Sequence, residues 1–231
     1  NRFAYNAALE VVGRPGRHYN PLFFFGPSGG GKTHLLRGLY RAMRARRRPN
    51  GPLKVSYVTA EQFFQHYVAS IQERTLRQFQ ERYRALDVLI LDDVHLLATK
   101  KKTQIELLHT FISLADSGRQ VVLSSDVPPS DLKALDPDLV GRFASGLIIG
   151  LKRPDFATRV GIARAQGRVL SLSANESVYR FVAEHVSGSA REILGAVKLL
   201  YHCSQVRGMP VDVASAQEVL GDYLRERARR V

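Results

Sequence analysis

Residues 23–34 read Phe23-Phe24-Phe25-Gly26-Pro27-Ser28-Gly29-Gly30-Gly31-Lys32-Thr33-His34, and this stretch decides the fold. An apolar run, a glycine-rich turn and the start of a helical pattern follow one another in it. Gly26, Gly31, Lys32 and Thr33 satisfy the pattern G-x-x-x-x-G-K-S/T. This pattern is typical of a loop that joins a buried strand to a helix and binds phosphate groups.

The residue types of the loop suit a nucleoside triphosphate. Residues without a Cβ let the backbone wrap phosphates closely, and the N–H groups of the turn and new helix can then face the oxygens. Lys32 is expected to reach the β- and γ-phosphates, and the Thr33 hydroxyl suits Mg²⁺. The alternative is a flexible glycine linker, which the flanking strand and helix patterns disfavour. The predicted binding residues for ATP or ADP are Ser28, Gly29, Gly30, Gly31, Lys32, Thr33 and His34.

Composition limits the class of protein. The 231 residues, 45% of them apolar, suit one large or two unequal domains, and no run of apolar residues is long enough to predict a membrane span. Cys203 is the single cysteine, which excludes an internal disulfide and favours the reducing cytoplasm. The seven histidines lack zinc-site spacing. The chain starts at Asn1 without a secretory signal, and the missing Met leads us to expect a fragment of a longer protein.

The charge balance is strongly basic. The formal net charge is +13 and the pI is about 10.2. Such a surface attracts polyanions, chiefly nucleic acid, through counterion release. An Arg-rich proteome that uses Arg as its default surface residue is the alternative explanation.

Apolar runs and helical patterns alternate up to residue 153. Strands are predicted over 21–26, 55–58, 87–93, 120–125 and 146–151, with helices over 1–12, 32–47, 103–117 and a helix pair between about 59 and 84. A turn is predicted over 49–52. This alternation predicts an α/β domain, residues 1–153, with a five-stranded parallel sheet covered on both faces. Helices over 155–168, 175–187, 190–206 and 213–229 predict a second, all-helical domain, residues 154–231.

Acidic residues follow two of the predicted strands. Asp92 and Asp93 end the third strand, and Asp126 ends the fourth. The carboxyl ends of parallel strands meet at one edge of a sheet, beside the phosphate loop. We expect Asp92 to bind Mg²⁺, Asp93 to orient or deprotonate the hydrolytic water, and Asp126 to contact the γ-phosphate. The alternatives are a helix cap for the Asp pair and an Asx turn for Asp126.

These segments occur in AAA+ order. The phosphate loop is followed by Leu91-Asp92-Asp93, by Ser125-Asp126-x-Pro128-Pro129 and by Gly141-Arg142-Phe143. Together with Asn1-Arg2-Phe3-Ala4, with His109-Thr110-Phe111 and with the helix pair before the third strand, they resemble the AAA+ ATPase domain (domain III) of the bacterial DnaA family of replication initiators. The resemblance covers essentially the whole chain.

The resemblance implies roles for further residues. Asp126 would be sensor I, Arg142 the arginine finger that a neighbouring subunit receives, and Arg191 sensor II, while Val68 and Lys102 would contact DNA. Partners implied are the chain itself in an ATP-dependent helical filament, single-stranded and origin DNA, and the replicative helicase. The sequence departs from the family at Asp138, where relatives carry Arg. The family's duplex-DNA-binding domain is not among the 231 residues.

The resemblance therefore implies an ATP-hydrolysing core that assembles with ATP and engages single-stranded DNA to open a replication origin. Two alternatives stay open. One is a DnaA-like regulatory adaptor that lacks the duplex-binding domain, and the other is an AAA+ helicase loader.

Overall fold

The computed structural model describes residues 1–48 and 51–228. Pro49 and Asn50, in the predicted turn, and Arg229, at the end of the last predicted helix, lie outside the described residues. The chain forms two compact units, of which the first is Asn1–Lys152 and the second begins at Arg153. Each unit has its own apolar core and is described by itself.

The first unit is built on a five-stranded sheet. Its strands are β1 (Leu22–Phe25), β2 (Val55–Thr59), β3 (Val88–Asp92), β4 (Gln120–Ser125) and β5 (Leu147–Gly150). They lie in the order β2-β3-β4-β1-β5. Every pairing in this sheet is parallel. Strand β1 pairs with β4 on one side and with β5 on the other, so Leu22 lies between Val122 and Leu147. The predicted α/β class with a five-stranded parallel sheet is confirmed.

Helices cover both faces of this sheet, and most begin where the sequence patterns predicted. They are α1 (Arg2–Gly13), α2 (Lys32–Ala45), α3 (Ala60–Gln72), α4 (Leu76–Arg84), α5 (Lys101–Asp116) and α6 (Pro137–Ala144), with short 3₁₀ turns at Val94–Leu97 and Pro129–Asp131. The Thr59 hydroxyl accepts from the Gln62 N–H while the Gln62 side chain accepts from Thr59, which fixes the start of α3. Helix α6 was missed, although Asp136 caps it and Pro137 opens it.

Helix α2 is two residues shorter than predicted. It ends at Ala45, and the next residues, Arg47–Arg48, pair antiparallel with Gly51–Pro52. These arginines are in extended backbone and not in the helix. The prediction extended the helix over them because Arg is a good helix former.

The alternation of side chains along the strands divides the core into two layers. Phe23, Leu89 and Leu123 pack with α3 to α6 on one face. Leu22, Phe24, Ile90 and Val122 pack with α1 and α2 on the other. Since both faces are covered, the strands read as continuous apolar runs, and only residues at the strand ends are free to be polar.

The second unit consists of the helices α7 (Phe156–Val169), α8 (Glu176–His185), α9 (Ala190–Arg207) and α10 (Val213–Ala228). Its core includes Val160, Val182, Ile193 and Leu200. Asp155, Asn175 and Ser189 cap the first three helices through their side chains. Among the described residues, no helix of either unit has the length and apolarity needed to cross a membrane.

Candidate nucleotide-binding site

The glycine-rich loop between β1 and α2 is held against the ends of the neighbouring strands. The Gly26 N–H donates to the Ser125 carbonyl over 3.3 Å, and the Gly30 N–H donates to the Pro27 carbonyl over 3.0 Å. Gly26 has φ +149°, and a Cβ there would lie 2.2 Å from the carbonyl oxygen of Leu151. The loop therefore needs glycine at this position because backbone of the next segment occupies the space of a side chain.

The start of α2 presents unsatisfied donors. The first amides of a helix, here Lys32, Thr33 and His34, have no carbonyl partner within it. Gly31 is the N-cap residue and makes no side-chain hydrogen bond to them. Ser28 and His34 are exposed and Thr33 is partly exposed, so this end of the helix faces solvent. Amides at the positive end of a helix dipole fit the oxygens of a phosphate chain.

Lys32 is the buried cation of the site, with 5% of its surface exposed. Its amine donates to the Gly26 carbonyl over 2.7 Å, to the Pro27 carbonyl over 3.3 Å and to Asp126 Oδ1 over 2.7 Å. Asp126 is itself about two-fifths exposed. The pair brings the phosphate loop and the end of β4 together, as the sequence predicted from the strand ends.

Asp92 is almost fully buried at the end of β3, with 1% of its surface exposed. Its Oδ2 accepts a hydrogen bond from the Tyr57 hydroxyl over 2.7 Å, and its Oδ1 accepts one from the Ser124 hydroxyl. Burial, and then the hydrogen bond to Asp92, raise the pKa of Tyr57 to about 12. The hydroxyl therefore remains a donor throughout the usable pH range, and the carboxylate is fixed from both neighbouring strands.

Asp93 has a different environment from its neighbour. Its backbone is left-handed, with φ 60° and ψ 49°, which ends the strand, and its N–H donates to Ser124 Oγ over 3.0 Å. The side chain is partly exposed. Burial, followed by the charge of Asp92, raises the pKa of Asp93 above its ordinary value. A carboxylate with a raised pKa is a better proton acceptor than an ordinary aspartate.

His95 completes an arrangement that the sequence did not predict. Its Nδ1 accepts from the Asp126 N–H over 3.3 Å, and its Nε2 lies 3.7 Å from Asp126 Oδ2. One potential ligand atom from each of Asp93, His95 and Asp126 lies within 4.8 Å of the others. Tyr57 and Ser124 were also missed. Ser124 stands one place before the carboxyl end of β4, which is a signal that could have found it, whereas Tyr57 is the middle residue of β2 and carries no such signal.

The other predicted site residues lie away from this cluster or in the other unit. Arg142 is exposed near the end of α6, and Lys102 is exposed in the first turn of α5. Val68 is partly buried on α3. Arg191 is exposed in the first turn of α9, in the second unit. The first unit therefore unites the phosphate loop with three acidic residues.

Comparisons with known proteins agree with this geometry. Residues 1–150 match the family described as the bacterial DnaA ATPase domain. The chain is 42% identical, over 226 residues, to the chromosomal replication initiator protein DnaA of Thermotoga maritima, covering 97% of this chain and 50% of that protein. It is 36% identical, over 232 residues, to DnaA of Acinetobacter baumannii, covering 100% of this chain and 49% of that protein. The chain thus spans about half the length of these relatives.

Solved structures give the same result. The crystal structure of domain III of Thermotoga maritima DnaA matches with a TM-score of 0.89 and 41% identity, covering 96% of this chain and 91% of that one. A replication initiator DnaA bound to AMPPCP and single-stranded DNA matches with a TM-score of 0.78 and 30% identity, covering 100% of this chain and 65% of that one. The chain belongs to the bacterial DnaA ATPase domain family.

Proposed function

We propose that this chain is the ATP-binding and ATP-hydrolysing core of a cytoplasmic replication initiator, in which bound ATP permits assembly. The observation that carries the proposal is the meeting of the Lys32 amine, the first amides of α2 and the carboxylates of Asp92, Asp93 and Asp126 at one edge of the sheet. The similar DnaA whose structure holds AMPPCP and single-stranded DNA supports the choice of ligands.

ATP binding would replace Asp126 with phosphate oxygens as the anionic partner of the Lys32 amine. In the structure its charge is paired with one carboxylate, Asp126, and its amine also donates to two carbonyl groups. The β- and γ-phosphates offer more negative charge to the same buried amine, while the loop residues 28–34 supply amides. Asp126, relieved of Lys32, would then be available to respond to the γ-phosphate.

Thr33 and Asp92 are the residues that would hold Mg²⁺, because hydroxyl and carboxylate oxygens are the ligands it prefers. Bound Mg²⁺ would neutralise charge that develops on the phosphate oxygens. Both Asp92 oxygens already accept hydrogen bonds from Tyr57 and Ser124, which fits a contact made through ion-bound water. Asp93, with its raised pKa, is suited to orient or deprotonate the attacking water.

The switch would depend on two arginines. Arg142 is exposed on α6 and is suited to reach the γ-phosphate bound by another subunit, as an arginine finger does. Arg191, from the helical unit, would contact the phosphates of its own chain. Asp138 lies four residues before Arg142 and is also exposed, so a subunit interface there would carry an acid where relatives carry Arg. Repetition of such a contact by a non-closing rotation gives a helical filament.

The DNA-binding surface would include Val68 and Lys102, from α3 and α5. The amine of Lys100 lies 4.5 Å from the ring centre of Phe64, so the start of α5 is held against α3. This contact supports one shared surface for the two residues. We propose that it binds single-stranded DNA at an origin, and that the replicative helicase is a further partner.

The test separates ATP binding from assembly. Lys32→Ala should abolish ATP binding in a nucleotide titration, whereas Arg142→Ala should keep ATP affinity and lose ATP-dependent assembly in sedimentation. Arg77→Ala is the matched control, because Arg77 is an exposed arginine paired with Glu81 on α4. Normal ATP affinity of Lys32→Ala, or ATP-dependent assembly of Arg142→Ala at the level of the control, would contradict the proposal.

A further inference from the structure

A cleft at the far edge of the first unit collects arginine side chains. It has a volume of about 320 Å³ and is lined by Gly13, Arg14, Pro15, Arg17 and Arg46. Two helix ends meet there, because Arg14 follows the last residue of α1 and Arg46 follows the last residue of α2. Three arginine residues therefore line one concave surface.

Arg46 forms a fixed wall of this cleft. Its guanidinium donates to the carbonyl groups of Val12 and Gly13 at the end of α1. Carbonyls in the last turn of a helix have no partner within the helix, so the arginine satisfies them and opposes the helix dipole. A guanidinium has five N–H donors, so these contacts leave further donors for a ligand.

The segment that carries Arg14 and Arg17 is also held in place. The Gly16 N–H donates to Gln120 Oε1 over 2.8 Å, and Gln120 is the first residue of β4. Gly16 has φ +79°, and a Cβ there would lie 2.0 Å from the carbonyl oxygen of Gly118. The backbone between the two arginines therefore packs tightly on the chain before β4, and ordering it on binding a ligand would require little entropy loss.

The charges of Arg14 and Arg17 are uncompensated. Both are exposed, and no ion pair joins either to a carboxylate in the part of the chain that the structure describes, although Glu10 lies one turn before Arg14. At the same edge of the sheet, Asp87 pairs with Arg119. Some exposed arginines elsewhere, such as Arg77 and Arg207, have glutamate partners and so offer a contrast. Among the described residues, the cleft thus places the charges of Arg14 and Arg17 side by side without an ion pair to either.

The position of the cleft separates it from the ATP site. Residues 14–21 lead into the start of β1, and the chain after Arg46 leads towards the start of β2. The cleft therefore lies at the amino edge of the parallel sheet, whereas the phosphate loop, Asp92 and the start of α5 follow the carboxyl ends of strands. A ligand in the cleft would not meet Lys32 or Lys102.

We propose that this cleft is a second nucleic-acid contact, which binds the backbone phosphates of DNA without reading sequence. Arginine forks match phosphate oxygens in pairs, and the concave arrangement lets more than one arginine contact neighbouring phosphates. A membrane surface fits the cleft less well, because its lining includes no large apolar side chain that could enter a bilayer.

The test uses two double variants. The cleft variant carries Arg14→Gln and Arg17→Gln, and the control variant carries Arg77→Gln and Arg207→Gln. The control removes the same charge from exposed arginines that have glutamate partners. Binding of a fluorescent duplex of mixed sequence is measured by anisotropy at several salt concentrations. Each phosphate contact contributes about 0.9 to the slope of log affinity against log salt, so losing two lowers it by about 1.8. From about 50 to 200 mM salt, the native chain should then lose about twelvefold more affinity than the cleft variant.

ATP affinity serves as the check on folding, because the cleft is remote from the phosphate loop. The variant Arg14→Lys with Arg17→Lys keeps the charge and should keep the native salt slope. Equal slopes for the cleft variant and the Arg77 and Arg207 control would overturn the proposal. So would a cleft variant that binds duplex DNA normally but loses binding to phosphatidylglycerol vesicles, because the cleft would then be a lipid contact.

Discussion

Replacement of Tyr57 by Phe should destabilise the nucleotide-free protein through a single lost donor. The hydroxyl donates to Asp92 Oδ2 over 2.7 Å, and Asp92 is 1% exposed. The substitution keeps the ring and its contacts with the Tyr40 ring and the Arg37 guanidinium. It leaves a buried carboxylate oxygen that water cannot reach, so the loss arises at Asp92.

The magnitude follows from the kind of hydrogen bond. A hydrogen bond to a charged group contributes about 1.5–3 kcal/mol, and the value for a buried carboxylate is not reduced by competing water. We therefore expect the free energy of unfolding to fall by about 2 kcal/mol. For a unit of this size, that corresponds to a Tm lower by about 4–8 °C. Because the pKa of Tyr57 is raised to about 12, ionisation of its hydroxyl does not contribute to the loss at neutral pH.

The matched control is Tyr40→Phe. The Tyr40 hydroxyl accepts a hydrogen bond from Arg44 over 3.3 Å at an exposed position, and its ring packs against Tyr57. Removing it should change the free energy of unfolding by less than about 0.5 kcal/mol. Urea denaturation without nucleotide measures both variants. Equal losses in the two variants, or no loss in Tyr57→Phe, would refute the conclusion that Asp92 depends on this donor.

Two further substitutions test the packing and the ionisation of the first unit. Gly16→Ala should lower the free energy of unfolding by about 1–3 kcal/mol, because the new Cβ would clash with the Gly118 carbonyl. The control is Gly38→Ala, which has open space around it within α2 and should raise the free energy of unfolding by up to about 1 kcal/mol. Urea midpoints that fail to separate the two alanines would contradict the packing. His66 Nδ1 lies 2.8 Å from the Tyr83 hydroxyl, and burial, then the charge of Arg82, lower the pKa of His66 below 6.5. As the pH falls, the His66 imidazole is therefore protonated in the unfolded chain at a higher pH than in the folded protein. The free energy of unfolding should thus decrease as the pH drops below about 6.5. The variant His66→Gln should lose that part of the pH dependence, and an unchanged slope would exclude His66 as its source.

Much of the fold could be predicted because parallel strands covered on both faces read as apolar runs. The five apolar runs predicted the five strands, and the glycine-rich loop before Lys32 identified the strand that leads into the phosphate site. The rule that carboxyl ends of parallel strands share one edge then predicted that Asp126 lies near the phosphate loop, and its ion pair with Lys32 agrees. The helical pattern did not predict the short hairpin of Arg47–Arg48 with Gly51–Pro52, whose extended pairing follows the end of α2 at Ala45.

The residues missed at the site share a physical reason. Tyr57 lies in the middle of a strand between Ser56 and the buried Val58, so its aromatic ring is interpreted as packing and its hydroxyl gives no separate signal. Ser124 stands one place before the end of β4, and its two hydrogen bonds cross to β3. Both acquire a role only through strand order, because β3 lies between β2 and β4. The order of strands in a sheet is not encoded in any local pattern.

Adjacent acids are chemically identical in the sequence, and the backbone makes them different. Asp92 is the last residue of β3 and accepts hydrogen bonds from hydroxyl groups on both neighbouring strands, which fix the position of its carboxylate. The left-handed turn at Asp93 takes the next side chain out of the strand, and its partial burial beside a fixed negative charge raises its pKa. Asp92 is therefore held in a fixed position, and Asp93, with its raised pKa, is suited to accept a proton. The turn at Asp93, more than the pair of residue types, is what divides these two tasks between them.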